Sequence, residues 1–189
     1  MIRLCSTSPT RAKILDKYNI EYLQSPIEFE EDSINANSAK SFVWQVVQGK
    51  KKVALDKYSL DIPILVADTV IEDFDGKILR KAKDIDDAKK ILLRQSGKKI
   101  SIISAAMLKA NDYEFIDISN TTYLFSEFNK DDLERYLQSQ DWQGKAGACM
   151  VEGFCKKYIE KTVGLESTAM GLQIEKIIPW IDFGRKVYG

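Results

Sequence analysis

The sequence predicts an α/β domain with a mixed sheet, because predicted strands and helices interleave along the whole chain. The length of 189 residues favours one domain, or one domain folded as two lobes. Hydrophobic residues make up 44% of the chain and charged residues 30%, which excludes a disordered tail, a coiled coil and a collagen-like repeat. No linker or internal repeat interrupts the sequence, so we interpret residues 1–189 as a single domain.

The first half of the chain alternates extended segments with two helices. Ser8 is a good N-cap and Pro9 fits the first helical position, so a helix is expected to begin there. The Asp75–Gly76 dipeptide is a hairpin turn signal. The predicted elements are a strand at 2–5, a helix at 9–18, an extended segment at 20–32, a helix at 37–57, an apolar strand at 62–67 that stops at Asp68, and a hairpin of 69–72 with 77–80.

The second half contains one long pair of strands and three helices. Asp84 is expected to cap a helix that Gly97 ends, and Asn129 is expected to open another. Asn111 and Asp112 separate two apolar runs and predict an antiparallel turn. The predicted elements are a helix at 85–95, strands at 100–108 and 113–125, a helix that follows residue 129, short extended pieces after residue 147, and a closing helix at 169–178.

Composition excludes several kinds of partner. Lys plus Arg and Asp plus Glu both number 28, so the net charge is zero and gives no general electrostatic reason to bind nucleic acid or membranes. No apolar run approaches the roughly 20 residues that span a bilayer, and the N-terminus lacks a signal-peptide core. Cys5, Cys149 and Cys155 are an odd set without close pairing, so we expect no disulfide framework and a cytoplasmic location.

The sequence contains no histidine, which limits the chemistry of any active site. Ser-His-Asp triads, Cys-His dyads and His-ligated zinc sites are excluded. Catalysis must therefore use carboxylates, lysines, arginines, hydroxyls or a hard metal held by oxygen ligands.

Two charged residues stand in apolar surroundings. Lys50 lies three or four positions from Val46, Val47, Val53 and Ala54, within the apolar stripe of its helix. It either extends along the edge of that stripe to solvent or turns inward to meet an anionic ligand. Asp68 follows a buried strand, where it either begins a turn or occupies the position typical of functional groups in α/β sheets.

The segment from Ser6 to Arg11 could bind an anion. It places hydroxyl groups and free backbone N–H groups at a helix start, with an arginine one turn later. The alternative is an ordinary N-cap followed by a surface arginine.

The order and spacing of these segments resemble the Maf family of nucleoside triphosphate pyrophosphatases, the septum-formation-related proteins. The resemblance covers residues 2 to about 178, nearly the whole chain. It implies an elongated central sheet flanked by helices, and two lobes with a cleft between them. The segments that carry it are Ser6-Thr7-Ser8-Pro9-Thr10-Arg11, Glu31, Val46-Val47-Gln48-Gly49-Lys50-Lys51, Asp68-Thr69-Val70-Ile71, Gly76-Lys77-Ile78-Leu79-Arg80-Lys81-Ala82, Ser96-Gly97 and the stretch from Lys145 to Gly153.

The resemblance implies an enzyme that cleaves a nucleoside triphosphate between its α and β phosphates, in a house-cleaning role. Asp68 would be the proton acceptor, and with Glu31 it would hold Mg²⁺ or Mn²⁺. Lys50, Lys81 and Glu31 would be the other catalytic residues, and the two lysines would also bind phosphate. Ser6, Ser8 and Arg11 complete the predicted phosphate site.

The residues that distinguish branches of the family stand at Thr10, Thr69 and Glu152. Thr69 matches the branch that acts on dTTP and UTP, Glu152 matches the branch that acts on 7-methyl-GTP, and Thr10 matches neither. An ionised carboxylate only accepts hydrogen bonds, which suits the two adjacent donors of guanine better than the carbonyls of uracil or thymine. We expect a broad nucleoside triphosphate pyrophosphatase with a lean toward guanine-type bases.

A different class of function stays open beside this one. The substitutions at Thr10, Ala82 and Glu152 would also fit a nucleotide-binding regulator linked to cell division, with little turnover. A purely structural scaffold would leave the inward position of Lys50 without a reason. The resemblance further implies a homodimer. Four aromatic residues that we expect to be exposed would either serve its interface or merely pack locally: Trp142, Trp180, Phe183 and Tyr188.

Overall fold

A seven-stranded mixed sheet forms the centre of the structure. The structure is a computed structural model that describes residues 1–188, except for the side chains of Asp32 and of residues 185–188. The strands are β1 (Ile2–Leu4), β2 (Tyr22–Gln24), β3 (Ile64–Glu72), β4 (Ile78–Leu79), β5 (Lys99–Lys109), β6 (Glu114–Phe125) and β7 (Ile159–Val163). The helices are α1 (Pro9–Lys17), α2 (Ala39–Lys57), α3 (Ile85–Gln95), α4 (Lys130–Ser139), α5 (Glu166–Ala169) and α6 (Ile174–Tyr188), with short 3₁₀ helices at Glu31–Ser33 and Phe154–Tyr158.

The strand order is β2-β1-β3-β5-β6-β7, and β4 pairs with the end of β3. Strand β1 is parallel to both β2 and β3, and the remaining pairs are antiparallel. The predicted α/β class and mixed sheet are thus confirmed. The two-lobed shape and the cleft stay predictions. No helix in the described part of the chain is long and apolar enough to cross a membrane.

Local capping signals account for where several helices begin. The Ser8 hydroxyl accepts a hydrogen bond from the backbone N–H of Arg11, and the Asp84 carboxylate accepts one from Asp87. The Asn129 side chain likewise accepts from the first turn of α4. Each contact satisfies an N–H group that has no partner within its own helix, so the predicted starts of α1, α3 and α4 are confirmed.

Three predictions from the sequence are wrong. The strand does not stop at Asp68, because β3 continues to Glu72 and pairs with β5 over its whole length. The closing helix does not cover 169–178: α5 ends at Ala169, Gly171 has φ +98°, and α6 begins at Ile174. Trp142 is buried, and its indole N–H donates to the Leu137 carbonyl 2.9 Å away, so it is unsuited to a dimer interface.

Alternate residues of β3 face opposite sides of the sheet. Val66 and Val70 pack in the cluster that contains α2, whereas Leu65 and Ala67 pack in the cluster that contains α1 and α6. By this alternation Asp68 belongs to the α2 side and Thr69 to the α1 side. A third cluster joins α3 and α4 to β5, β6 and the loop near residue 149.

Candidate active site

The middle of β3 has one open edge. Strand β1 pairs with β3 only at Ile64 and Leu65, and β4 pairs only at Ile71 and Glu72. Residues 66–70 therefore pair with β5 on one side and, among the described residues, with no strand on the other. Side chains from both faces of β3 can reach this gap in the sheet.

A cavity of about 650 Å³ lies at the gap. Its lining combines the turn after β1, the segment before the first 3₁₀ helix, one residue of α2, the middle of β3 and the loop at 143–152. It includes all ten sequence-predicted site residues: Ser6, Ser8, Thr10, Arg11, Glu31, Lys50, Asp68, Thr69, Lys81 and Glu152. The structure thus brings together residues that are far apart in the sequence.

Lys50 joins the two predicted acidic residues. Its ammonium nitrogen lies 2.6 Å from Oε1 of Glu31 and 2.9 Å from Oδ1 of Asp68. The Asp68 side chain is 7% exposed and the Lys50 side chain 14% exposed, whereas Glu31 is 31% exposed. Lys50 therefore turns inward from α2, and its place in the apolar stripe brings its charge to the cavity.

Arg11 connects the other face of β3 to two loops. Its guanidinium donates to the Ser6 hydroxyl at 3.0 Å, to the Thr69 hydroxyl at 3.3 Å and to the Gly171 carbonyl at 2.9 Å. Burial lowers the pKa of Arg11, and the nearby carboxylates of Asp68 and Glu31 partly oppose that shift. Because a guanidinium keeps its proton in proteins, Arg11 is a fixed cation beside the cavity.

The turn after β1 is ordered by its own hydroxyl groups. The Ser6 hydroxyl accepts from the backbone N–H of Ser8, while the Ser8 hydroxyl caps α1. Thr10 is half-buried on the first turn of that helix. This arrangement places the N-terminus of α1 at the cavity wall, where its positive end favours an anion.

Lys81 follows β4 in the sequence and lines the cavity. Its backbone bridges to Ala146, which fixes the 143–152 loop beside it. Its side chain is exposed and, within the described residues, has no ion-pair partner. The ammonium is thus available to a ligand.

Glu31 and Asp68 also suit a divalent metal. Oδ2 of Asp68 is buried and accepts no hydrogen bond from the described residues, so one carboxylate oxygen lacks a partner. The described side chains contain no cluster of three or more acidic or cysteine ligands. Two carboxylates nevertheless fit Mg²⁺ or Mn²⁺, because such ions complete their shells with water and substrate phosphates. The residues present therefore fit the metal that the resemblance implies.

The 143–152 loop carries a second ion pair, which the sequence did not reveal. Nζ of Lys145 lies 3.2 Å from Oε1 of Glu152. Seven positions apart in an irregular segment, the two residues follow no helical or strand spacing that could have indicated the contact. The only sequence signal for this ion pair is that two residues of opposite charge lie in one loop with Gly144 and Gly147.

Two cysteines also flank Glu152. The sulfur atoms of Cys149 and Cys155 are 3.0 Å apart, and both residues are buried and free. Their hydrogen bond and their burial raise the pKa of Cys149 well above its ordinary value. Cys149 is accordingly a neutral thiol that packs behind the cavity wall.

The structure also shows what the candidate base-specificity residues contact. The Thr69 hydroxyl lies 2.8 Å from that of Ser104 and accepts from Arg11, so Thr69 already has two partners. Glu152 pairs with Lys145. The partners Ser104, Gly171 and Lys145 were not predicted, because each contact joins segments that lie apart in sequence or in irregular loops.

Comparison with known proteins agrees with this arrangement. The family model described as Maf-like protein matches residues 1–182. A protein named nucleoside triphosphate pyrophosphatase from a Nitratiruptor species is 50% identical over 179 residues, which cover 94% of this chain and 96% of that protein.

Two further relatives carry the same name. The protein from Campylobacter jejuni subsp. jejuni is 34% identical over 94% of this chain and 98% of its own length. The protein from Helicobacter pylori is 30% identical over 97% of this chain and 96% of its own length. With a family model matched over nearly the whole chain and relatives that align along nearly their full length, this chain belongs to the Maf family.

Proposed function

We propose that this protein is a nucleoside triphosphate pyrophosphatase that converts its substrate and water to a nucleoside monophosphate and pyrophosphate. One observation supports this most directly: the Lys50 ammonium is held between Glu31 and Asp68 inside a cavity that Arg11 also borders. A buried carboxylate beside a cation fits the activation of water next to phosphate. The names of the relatives support the same activity.

The cationic groups account for phosphate binding. A triphosphate carries roughly four negative charges, and catalysis of phosphoryl transfer consists mainly of positioning and neutralising them. Lys50, Lys81 and Arg11 would supply fixed positive charge, with the N–H groups near Ser6 and Ser8 as additional donors. Phosphate bound to Lys50 would compete with its present carboxylate partners and leave Asp68 free to act.

Asp68 is the proposed proton acceptor. Its Oδ2 has no hydrogen bond from the described residues, so it can accept the proton of a water that attacks the scissile phosphoanhydride. A divalent ion held by Glu31 and Asp68 would supply charge neutralisation and a more acidic water. We infer that this activity has a house-cleaning role, which means that it removes unwanted nucleotides.

Pyrophosphate release from a panel of nucleoside triphosphates, with Mg²⁺ or Mn²⁺, tests the proposal. The Asp68→Asn variant is expected to lose about 10²–10⁴-fold in turnover, as removal of a positioned proton acceptor commonly does. Asp56→Asn, at an exposed position of α2, is the matched control and should retain wild-type turnover. EDTA should abolish activity.

Each arm of this experiment can fail separately. No release from any nucleotide would favour the nucleotide-binding regulator over the enzyme. Wild-type turnover in Asp68→Asn would remove Asp68 as the base, and full activity in EDTA would remove the metal.

We propose a homodimer on the strength of the resemblance. Trp180 and Phe183 are 37% and 48% exposed on α6, where they pack beside Tyr113, whereas Tyr188 lies outside the described side chains. Sedimentation at micromolar concentration tests the assembly, and a clean monomer would contradict it. The cytoplasmic location and the link to septum formation stay predictions.

A further inference from the structure

Ser104 is a buried residue of β5 that the proposed mechanism does not use. It lies opposite Thr69 in the register of β3 and β5, and it is completely buried. Its hydroxyl oxygen lies 2.8 Å from that of Thr69, and its hydroxyl group donates to the Thr168 carbonyl at 2.7 Å. Thr69 lines the cavity, so Ser104 lies directly behind the cavity wall.

The hydrogen bonds around Ser104 can run in one direction only. A carbonyl oxygen can only accept, so the single hydroxyl proton of Ser104 goes to Thr168. The Ser104 oxygen must then accept the hydroxyl proton of Thr69. This leaves the Thr69 oxygen to accept from Nη2 of Arg11 at 3.3 Å. The chain of hydrogen bonds thus runs from the Arg11 guanidinium to the Thr168 carbonyl.

Ser104 is also connected to the second group that holds Arg11. The Thr168 carbonyl accepts from the Gly171 N–H at 3.0 Å as well as from Ser104. The carbonyl of Gly171 in turn accepts from Nε of Arg11 at 2.9 Å. Ser104 therefore orders both the hydroxyl of Thr69 and the 168–171 turn, and each of them supplies an acceptor to Arg11.

These acceptors lie on one side of the guanidinium and leave the rest of it for a ligand. Arg11 uses three of its five N–H groups on Gly171, Thr69 and Ser6. One N–H group on each terminal nitrogen is left, and Arg11 lines the cavity. A planar guanidinium binds phosphate through such a pair of N–H groups, so the orientation of its plane decides how well it fits.

We propose that Ser104 is a positioning residue that fixes the guanidinium plane of Arg11 toward the substrate phosphates. This inference rests on the proposed pyrophosphatase function and adds a residue to it. Without the Ser104 hydroxyl, the Thr69 proton has no acceptor behind it and the Thr69 hydroxyl can rotate. Rotations that point this proton at Arg11 remove one of the acceptors that hold the guanidinium.

The Nε–H group of Arg11 reports this positioning independently of activity. In ¹⁵N-labelled protein, an arginine Nε–H that donates to a carbonyl in an ordered turn should exchange with water slowly. We expect such a protected signal in the wild type, assigned to Arg11 by its absence from the spectrum of Arg11→Lys. In Ser104→Ala its exchange should become about tenfold faster or more, because the turn and the hydroxyl that hold the guanidinium both lose a hydrogen bond.

Steady-state hydrolysis measures the consequence for the reaction. With the nucleoside triphosphate that the wild type hydrolyses best, Ser104→Ala should lower kcat/KM about tenfold, as loss of a buried hydrogen bond commonly does. Arg11→Lys keeps the charge and removes the planar fork. Adding Ser104→Ala to Arg11→Lys should change kcat/KM by less than about twofold, because the group that Ser104 positions is already gone.

Three further variants separate the hydroxyl group from the fold. Ser104→Thr retains the hydroxyl and should retain slow exchange and most of the activity, and Ser104→Cys, with a similar volume and a weak donor, should give intermediate values. Ser101→Ala is the matched control, because Ser101 lies on the same strand and its hydroxyl contacts Thr122 at 3.2 Å, away from the cavity lining. It should leave both readouts unchanged. Circular dichroism of each variant confirms folding.

Four outcomes would overturn the inference. Rapid exchange of the Arg11 Nε–H in the wild type would show that the guanidinium is not fixed, and unchanged exchange in folded Ser104→Ala would show that it is fixed without Ser104. An equal loss of kcat/KM in the wild-type and Arg11→Lys backgrounds would make Ser104 a structural residue only. The same would follow if Ser104→Thr folded like the wild type but behaved like Ser104→Ala. Absence of hydrolysis for every nucleotide would instead refute the proposed function, while the exchange measurements would still decide what holds Arg11.

Discussion

In the metal-free protein, Lys50→Met is expected to lower the free energy of unfolding by about 2 kcal/mol. The substitution keeps much of the side-chain volume in the apolar stripe of α2 and removes the ammonium between Glu31 and Asp68. Asp68, 7% exposed, then remains as a buried carboxylate without its counter-ion. The cost of that unpaired charge is the main source of the effect.

The magnitude follows from the burial of the three groups. Breaking a fully buried ion pair by removing one partner costs about 3–5 kcal/mol, whereas exposed pairs contribute about 0–1 kcal/mol. Glu31 is 31% exposed, so the Lys50–Glu31 pair contributes an amount near that of an exposed pair. Lys50 itself is 14% exposed, so the Lys50–Asp68 pair contributes less than a fully buried pair would. A loss of about 2 kcal/mol corresponds to a fall in Tm of roughly 4–8 °C for a chain of this size.

Magnesium should reverse this loss in the variant. In the wild type the ammonium competes with a divalent ion for the same two carboxylates, whereas in Lys50→Met the ion has no competitor. Binding at about 100 times Kd stabilises a folded protein by about 2.7 kcal/mol. We therefore expect Mg²⁺ to raise the Tm of the variant more than that of the wild type.

Thermal unfolding with EDTA and in a Mg²⁺ series measures both effects. Lys51→Met is the matched control, because Lys51 pairs at 3.0 Å with the partly exposed Glu114, and its Tm should change little in either condition. A metal-free Tm of Lys50→Met equal to that of the wild type would refute the buried-charge argument. An equal Mg²⁺ response in both proteins would refute competition at the two carboxylates.

Two other changes test the surroundings of the site. Burial raises the pKa of Asp73, but hydrogen bonds from Arg94 and backbone N–H groups outweigh it and hold that pKa below the ordinary value. Asp73→Asn should therefore lower Tm at pH 7. The difference from wild type should shrink as pH falls below about 4, because protonation of Asp73 removes the same stabilisation from the wild type. A difference in Tm that does not change with pH would contradict this. Gly171→Ala places a side chain at a residue with φ +98° beside the Arg11 contact, and it should lower both Tm and kcat/KM. Gly76→Ala is the control, because Gly76 has φ +81° with open space around it, and it should lower Tm alone. Equal kcat/KM in the two alanine variants would show that Gly171 does not shape the site.

Local signals in the sequence were sufficient for most elements of the fold. The Asp84 cap, the Asn111–Asp112 turn and the Asn129 cap act within a few residues, and the structure confirms each of them. Lys50 could be singled out for the same reason, since a helical period places it in an apolar stripe without knowledge of its partner. Signals of this kind depend only on neighbours along the chain.

The remaining features depend on distant segments. Whether β3 ends at Asp68 is decided by its pairing with Ala105 and the residues beyond it, and the burial of Trp142 is decided by how its loop packs on α4. The Lys145–Glu152 pair requires the particular path of an irregular loop. None of these leaves a periodic pattern in the sequence, so each became visible only with the structure.

The open edge of β3 divides the amide protons of one strand into two classes. In an antiparallel pair, alternate residues exchange hydrogen bonds with the neighbouring strand and the others point away from it. Across residues 66–70, alternate amides are thus bonded to β5, and the amides between them face the gap beside the cavity. Hydrogen exchange should be slow for the first class at all times, and for the second it should become slow when a nucleotide fills the gap. The middle of this strand would then report occupancy of the site residue by residue, without any label on the ligand.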